Sequence, residues 1–306
     1  MSCDSLRYLR HLQLLPDASA WAFWNKPDNP YNTSDLLETK INANPPIVMG
    51  ASAVCMPPLL GAIGSTQKYF PASRIIFYDL GLSAADAKRV KTFCNLEYRR
   101  FDFTFWPGHS RNLKQYHFKA IIAAQALHEF PDGFWWADTS IRWHDQFNSS
   151  VLEMVKERKL YFTLHLLPHY SQFAVTHPGM YEFLPTDTTA AKETYQGGSG
   201  LLFAVSTPRT RRIIAWWLLC SLQRRCMAPL GASLLCDFQR RHNADIDQSR
   251  WAHCHRFDQS ALNIILANEF GFDVMRYTLF GDNRTDWERF AISKHPKFDE
   301  KPSVCL

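Results

Sequence analysis

From residue 45 onward the chain alternates short apolar runs with longer mixed stretches. Ile47–Met49 is an apolar run closed by Gly50 and reads as a buried strand. Pro57–Lys68 reads as a helix with proline near its start, where the missing N–H costs nothing. Arg74–Tyr78 is a second strand ending at Asp79, and Ser83 is placed to cap a helix running to about Cys94. Tyr98–Phe103 alternates as a third strand, Leu113–Leu127 follows as a helix, and Phe134–Ala137 is a fourth strand ending at Asp138. Strands and helices alternating at this spacing predict an α/β fold with a mostly parallel central sheet and helices on both faces.

The second half is more mixed. Asn148–Arg158 reads as a helix and Leu160–Leu166 as a strand. Gly197, Gly198 and Gly200 form a loop before the strand Leu201–Val205, and Thr207 with Pro208 opens a helix to about Cys226. Residues 227–256 are polar and irregular, Asp258–Phe270 is a helix, and Asp273–Tyr277 is a last strand. The pattern divides the chain into an N-terminal arm (1–44), rich in turn formers at Asp28, Asn29, Pro30 and Asn32, a main domain (45–290) and a C-terminal tail (291–306).

Open α/β sheets bind ligands beyond the carboxyl ends of their strands. Gly50, Asp79 and Asp138 each fall at such an end, which predicts that they converge in one crevice. No Gly-x-Gly-x-x-Gly follows the first strand, so a dinucleotide-binding Rossmann enzyme is disfavoured.

Composition narrows this further. With 46% hydrophobic and 21% charged residues the chain is an ordinary globular one. A net charge of +5 suits an anionic ligand such as a nucleoside diphosphate and is too weak to argue for nucleic acid. Arg209, Arg211, Arg212, Arg224 and Arg225 flank an apolar helix and read as a solvated face. The apolar centre of that helix, Ile213–Leu222, falls far short of the roughly 20 residues a membrane span needs, so no transmembrane segment is expected. Arg7, Arg10 and His11 interrupt Leu6–Leu15, so a signal peptide is not expected there either. The eight cysteines include no Cys-x-x-Cys pair, which argues against structural zinc and leaves open whether they are bridged. Asn32, Asn148 and Asn283 begin Asn-x-Ser/Thr triplets.

Six blocks, in order between about residues 45 and 280, carry a family resemblance. They are IVMGAS (47–52), IIFYDLGLS (75–83), FKAIIAAQAL (118–127), FWWADTSIRW (134–143), YQGGSGLLFAV (195–205) and FDQSALNIIL (257–266). In these blocks the chain resembles GT-A-fold glycosyltransferases. More narrowly it is similar to a group of animal nucleotide-diphospho-sugar transferase-like proteins, distantly similar to the family 8 retaining enzymes. The resemblance implies a GT-A-like catalytic domain over 45–290 and a nucleotide-sugar donor, UDP-linked. It also implies a glycan, protein or small-molecule acceptor and a place in the Golgi lumen; no residue excludes the cytoplasm.

The resemblance also assigns roles. Asp138 takes the place of the first carboxylate of an Asp-x-Asp motif that holds Mn²⁺ or Mg²⁺ against the donor diphosphate, because a hard dication prefers carboxylate oxygens. Ser140 stands where the second carboxylate is expected, a neutral and poorer ligand, so Asp138 is read either as a metal ligand, as a ribose contact or as a strand-end cap. Gly50 and Ser52 belong to the donor side. Lys119 meets donor phosphates or is a solvated lysine; Asp79 contacts base or ribose or is a turn carboxylate. Gly197 and Gly198 let the backbone approach the sugar. Asp258 and Gln259 face the sugar, with Asp258 a proton acceptor, or they cap a helix. His295, followed by Lys301 and Pro302, is a weak second metal-ligand position, and His253 with His255 is either a metal pair or part of a polar loop.

Overall fold

A computed structural model describes residues 3–14, 39–143, 147–158, 160, 162–166, 170–240, 247–278, 291–293 and 299–305. The expected α/β class is what the chain adopts. Its central sheet has six strands in the order β3-β2-β1-β4-β7-β6. These are β1 Ile47–Ala51, β2 Ile75–Asp79, β3 Leu96–Arg100, β4 Phe134–Ala137, β6 Phe162–Leu166 and β7 Gly198–Ala204. β1 pairs in parallel with β2 and β4, and β2 with β3; β7 runs antiparallel between β4 and β6. A short β5 (Ile141–Trp143) pairs with β8 (Ala291–Ser293) outside this sheet.

The strands are apolar on both faces because helices cover both. Val48, Ile76, Trp136 and Leu202 point to one face, where α4 (His117–Glu129), α7 (Pro208–Leu222) and α10 (Asp258–Phe270) pack. Ile47, Phe77, Trp135 and Phe203 point to the other, against α2 (Met56–Tyr69) and α5 (Phe147–Glu157). The remaining helices are α1 (Cys3–His11), α3 (Ala84–Val90), α6 (Thr188–Glu193), α8 (Arg224–Met227) and α9 (Asp237–Arg240). Ser83 caps α3 as expected, its hydroxyl accepting from the Asp86 N–H at 3.1 Å.

Several local expectations are corrected. Gly198 and Gly200 lie within β7, not in a loop before it. The helix read from Leu113 starts only at His117, because Tyr116 takes a left-handed conformation (φ 57°) that ends the preceding turn. The helix read to Cys226 stops at Leu222, where Gln223 leaves helical geometry (ψ 103°), and α8 follows separately. Residues 274–276 form a 3-10 turn, not a strand, capped by the Asp273 carboxylate on the Met275 N–H. Arg209 and Arg212 are not solvated: both pair with Glu269 on α10, tying α7 to it. Arg211, Arg224 and Arg225 are exposed, as read. Asn148 lies in α5; Asn32, Asn283 and His295 lie outside the described residues.

Three disulfides join Cys94–Cys305, Cys220–Cys226 and Cys236–Cys254. The first ties the C-terminal segment to the edge of the sheet just before β3. No helix among the described residues is long and apolar enough to cross a membrane.

Candidate functional site

The sheet register aligns the carboxyl ends of β2, β1 and β4. Ala51 pairs with Asp79, and Val48 with Trp136, so Gly50, Asp79 and Asp138 lie at one edge of the sheet. Neighbouring strands are about 4.8 Å apart, which puts Asp79 about 10 Å from Asp138.

Asp138 follows β4 directly. Its N–H donates to the Gly200 carbonyl at 2.7 Å, continuing the β4–β7 ladder for one more residue. A Cβ on Gly200 would come within 3.3 Å of the Asp138 carboxylate, so glycine here leaves room for that side chain. Trp136 Nε1–H donates to Asp138 Oδ1 at 2.7 Å from the same strand. The carboxylate is one-third exposed.

Lys119 lies on the first turn of α4 and is almost fully buried, with only 3% of its side chain exposed. Its ammonium is 3.0 Å from Asp138 Oδ1 and 3.0 Å from Asp258 Oδ2. Asp258, the first residue of α10, is equally buried and also accepts from Ser199 Oγ at 2.7 Å, while Trp217 Nε1–H holds its carbonyl oxygen at 3.0 Å. One cation thus bridges two carboxylates from elements 120 residues apart in sequence. Burial alone would lower the Lys119 pKa, but the carboxylates on either side outweigh it and hold the pKa above its ordinary value. Burial pushes the Asp138 carboxyl above its ordinary range; Lys119 opposes that push and Asp258 adds to it.

Both helices that frame this cluster begin at residues with positive φ. Tyr116 (φ 57°) precedes α4, and Phe257 (φ 42°) precedes α10. Such backbone costs on the order of 1–3 kcal/mol per residue and persists where surrounding structure requires it. The two rings pack at 6.3 Å, and the Tyr116 ring lies 5.7 Å from the Lys119 ammonium. The strained entries therefore hold the first residues of both helices against one another, beside the three charges.

The glycine segment is fixed from below. Gly197 donates to Asn263 Oδ1 at 2.6 Å and accepts from Asn263 Nδ2 at 2.7 Å, and a Cβ there would collide with Leu164. Gln259 donates to Gln196 Oε1 at 2.6 Å. Gly198 is a buried β7 residue paired with Leu166. Ser52 follows β1, half-buried, and its hydroxyl makes no capping bond.

Asp79 is more committed than the other crevice residues. Oδ1 accepts from the Gly81 and Leu82 N–H groups at 2.7 and 2.6 Å, and Oδ2 accepts from the Tyr98 hydroxyl. These bonds hold the Asp-Leu-Gly turn and, against the upward push of burial, keep the Asp79 pKa below its ordinary value. Burial of the phenol, with the hydrogen bond to Asp79, raises the Tyr98 pKa to about 12.

The described donors do not fit a divalent cation. Asp138 already accepts from Trp136 and Lys119, and a dication on its carboxylate would lie close to the Lys119 ammonium. Among the described residues no group of three or more His, Cys, Asp or Glu side chains is placed to hold a metal ion. His253 pairs with Asp237 at 2.6 Å, while His255 is buried, accepts from the His177 N–H and bonds the Met227 carbonyl, so these two do not share a ligand position.

Sequence reasoning missed Tyr116, Trp136, Ser199, Phe257 and Asn263. Trp136, Ser199, Phe257 and Asn263 lie within the resembling blocks without a role of their own, and Tyr116 lies outside them. Positive φ at an aromatic residue leaves no trace in sequence.

Residues 1–124 match a family described as a protein of unknown function (DUF1647). No curated protein matches the chain in sequence. Among solved structures the chain is similar to a galactosyltransferase, LgtC, in complex with donor and acceptor sugar analogues, at 14% identity over 66% of this chain and 68% of that one, TM-score 0.36. It is similar to core-mannan synthase A from Aspergillus fumigatus in its Mn/GDP form, at 10% identity over 74% and 70%, TM-score 0.41. A third is the apo bifunctional glycosyltransferase WbbM, at 9% identity over 75% of this chain and 38% of that one, TM-score 0.42.

Proposed function

We propose that the chain is a glycosyltransferase that moves a sugar from a nucleoside diphosphate donor, UDP-linked, to a hydroxyl of a glycan, protein or small-molecule acceptor. The observation that supports this most is the Asp138–Lys119–Asp258 cluster at the carboxyl edge of the sheet, framed by two strained helix entries. Transfer breaks the bond between the sugar carbon and the diphosphate oxygen, the electron pair leaves with the diphosphate, and the acceptor hydroxyl bonds to the sugar carbon and gives up its proton.

Within that reaction Asp138 is the carboxylate that solvent reaches, so it is the group that accepts from a sugar or ribose hydroxyl. Asp258 stands behind Lys119 and fixes it, and with it the start of α10 and Gln259. Gly50 and Ser52 border the donor's nucleoside side and Asp79 holds the turn at its margin, while Gly197 and Gly198, expected to let the backbone approach the sugar, are buried and bonded from within and only support that side. Since the described donors do not fit a metal, no step is routed through one. The place of action is the oxidising lumen of the secretory pathway; three disulfides support this, since such bonds persist in oxidising compartments.

The test is a donor screen. The protein is incubated with several UDP- and GDP-sugars, with and without Mn²⁺, and free nucleoside diphosphate is measured. Turnover of at least one donor is expected. Binding of UDP without turnover of any donor would instead make the chain a silent nucleotide- or glycan-binding protein, the reading that Ser140 in the motif favours. Neither binding nor turnover would sink the proposal.

A further inference from the structure

A cavity of about 460 Å³ opens at the carboxyl ends of β2 and β3, lined by Asp79–Gly81, Arg100–Thr104 and Arg111. It lies about 10–14 Å from Asp138, two to three strand spacings along the sheet edge. None of its charged residues touches the Lys119 cluster.

The two kinds of charge lining it are not equally committed. Both Asp79 oxygens are taken by the Gly81 and Leu82 N–H groups and the Tyr98 hydroxyl. Asp102 Oδ1 accepts from the Thr104 N–H at 2.8 Å and the Thr104 hydroxyl at 2.6 Å. Arg100 and Arg111 are both exposed, and among the described residues neither forms an ion pair. Arg111 is oriented by stacking over the Phe103 ring, 5.8 Å from its centroid. The cavity therefore presents two exposed guanidiniums, Arg100 near Asp79 and Arg111 near Asp102, whose N–H donors make no hydrogen bond among the described residues, whereas three of the four carboxylate oxygens are hydrogen-bonded. Phe103, half-buried and backed by the buried Phe101, supplies an apolar wall. Guanidinium forks match the oxygens of carboxylates, phosphates and sulfates. A cavity of this size takes a body larger than a bare ion.

We propose that this cavity is a second binding site, for an acidic sugar: a ring lying against Phe103 whose sulfate, phosphate or carboxylate group is held by Arg100 and Arg111. This does not rest on the transfer reaction, since its readout is binding alone.

Isothermal titration tests it, with N-acetylglucosamine 6-sulfate, N-acetylglucosamine, inorganic sulfate and UDP as probes on the full chain. The sulfated sugar is expected to bind at least tenfold more tightly than either the neutral sugar or inorganic sulfate, and added salt should weaken it. Arg100→Ala with Arg111→Ala should remove that preference while leaving UDP binding and the thermal midpoint unchanged. Saturating UDP should not displace the sulfated sugar. Equal affinity for sulfated and neutral sugar would overturn the proposal, as would a double variant that binds like wild type. Inorganic sulfate binding as tightly as the sugar would refute the sugar body. Full displacement by UDP would return the cavity to the nucleotide.

Discussion

The carboxyl edge of the sheet handles charge in two opposite ways. At β4 and α10 one buried ammonium meets two carboxylates, with further donors from Trp136 and Ser199. At the ends of β2 and β3 the carboxylates are hydrogen-bonded to a turn and a threonine, and two exposed guanidiniums line a cavity near them without a salt bridge among the described residues. The first arrangement positions its own groups and leaves one edge of Asp138 open. The second holds little together and offers its charge outward. A charged residue that the fold needs should therefore be costly to remove, and one reserved for a ligand should not.

The largest expected effect follows from Lys119→Met. It leaves Asp138 and Asp258 as like charges without their cation in a mostly buried place, and breaking such a pairing costs about 3–5 kcal/mol. Urea unfolding with the disulfides intact would show it. A loss well under 1 kcal/mol would remove the contrast between the two regions.

Acid should weaken the α10 side next. His255 precedes Phe257 in the loop that leads into α10. Burial lowers its pKa to about 3, against the hydrogen bond to the Met227 carbonyl, which favours the protonated ring, and His177 nearby adds to the lowering. Its folded pKa is below the unfolded value near 6.5, so the stability it contributes is complete above that pH and is lost as pH falls toward 3. By pH 4 the loss is about 3 kcal/mol. Unfolding midpoints between pH 7 and 4 should fall, and His255→Gln should flatten that slope.

Removing the Cys94–Cys305 bridge with Cys94→Ser and Cys305→Ser should cost about 2–5 kcal/mol, since it closes a loop of 211 residues. This crosslink acts at the amino end of β3, on the opposite edge of the sheet from Asp138, so nucleotide binding there should survive it. The smallest effect is expected for Arg100→Ala with Arg111→Ala, which should leave the unfolding midpoint where it was. A clear fall would mean that these arginines serve the fold.

Much of this was legible before the structure. β1, β2 and β4 were read nearly to the residue because both faces of each are buried, which gives unbroken apolar runs between turn formers. β3 was read two residues late: it is an edge strand, half-exposed, with Arg99 and Glu97 paired along its surface, and its pattern is weak. β5 is three residues long and its partner β8 lies far along the chain, so no local signal marks it. The glycines at and just before β7 read as a loop because sequence shows their freedom and not the close packing that requires them, Leu164 at Gly197 and Asp138 at Gly200. Lys119, Asp138 and Asp258 were each singled out, but their meeting was not, since Lys119 and Asp258 come together only through the fold.

The central claim is that Asp138 is the working carboxylate of the crevice and that Ser140 beside it is not. The most direct measurement is kcat/KM for the donor identified by screening, compared among wild type, Asp138→Asn and Ser140→Ala. Loss of one preorganised electrostatic contact costs on the order of 3 kcal/mol, so Asp138→Asn should fall at least 100-fold, while Ser140→Ala should fall less than tenfold. Turnover by Asp138→Asn at the wild-type rate would contradict the account and leave Asp138 as the cap of a strand.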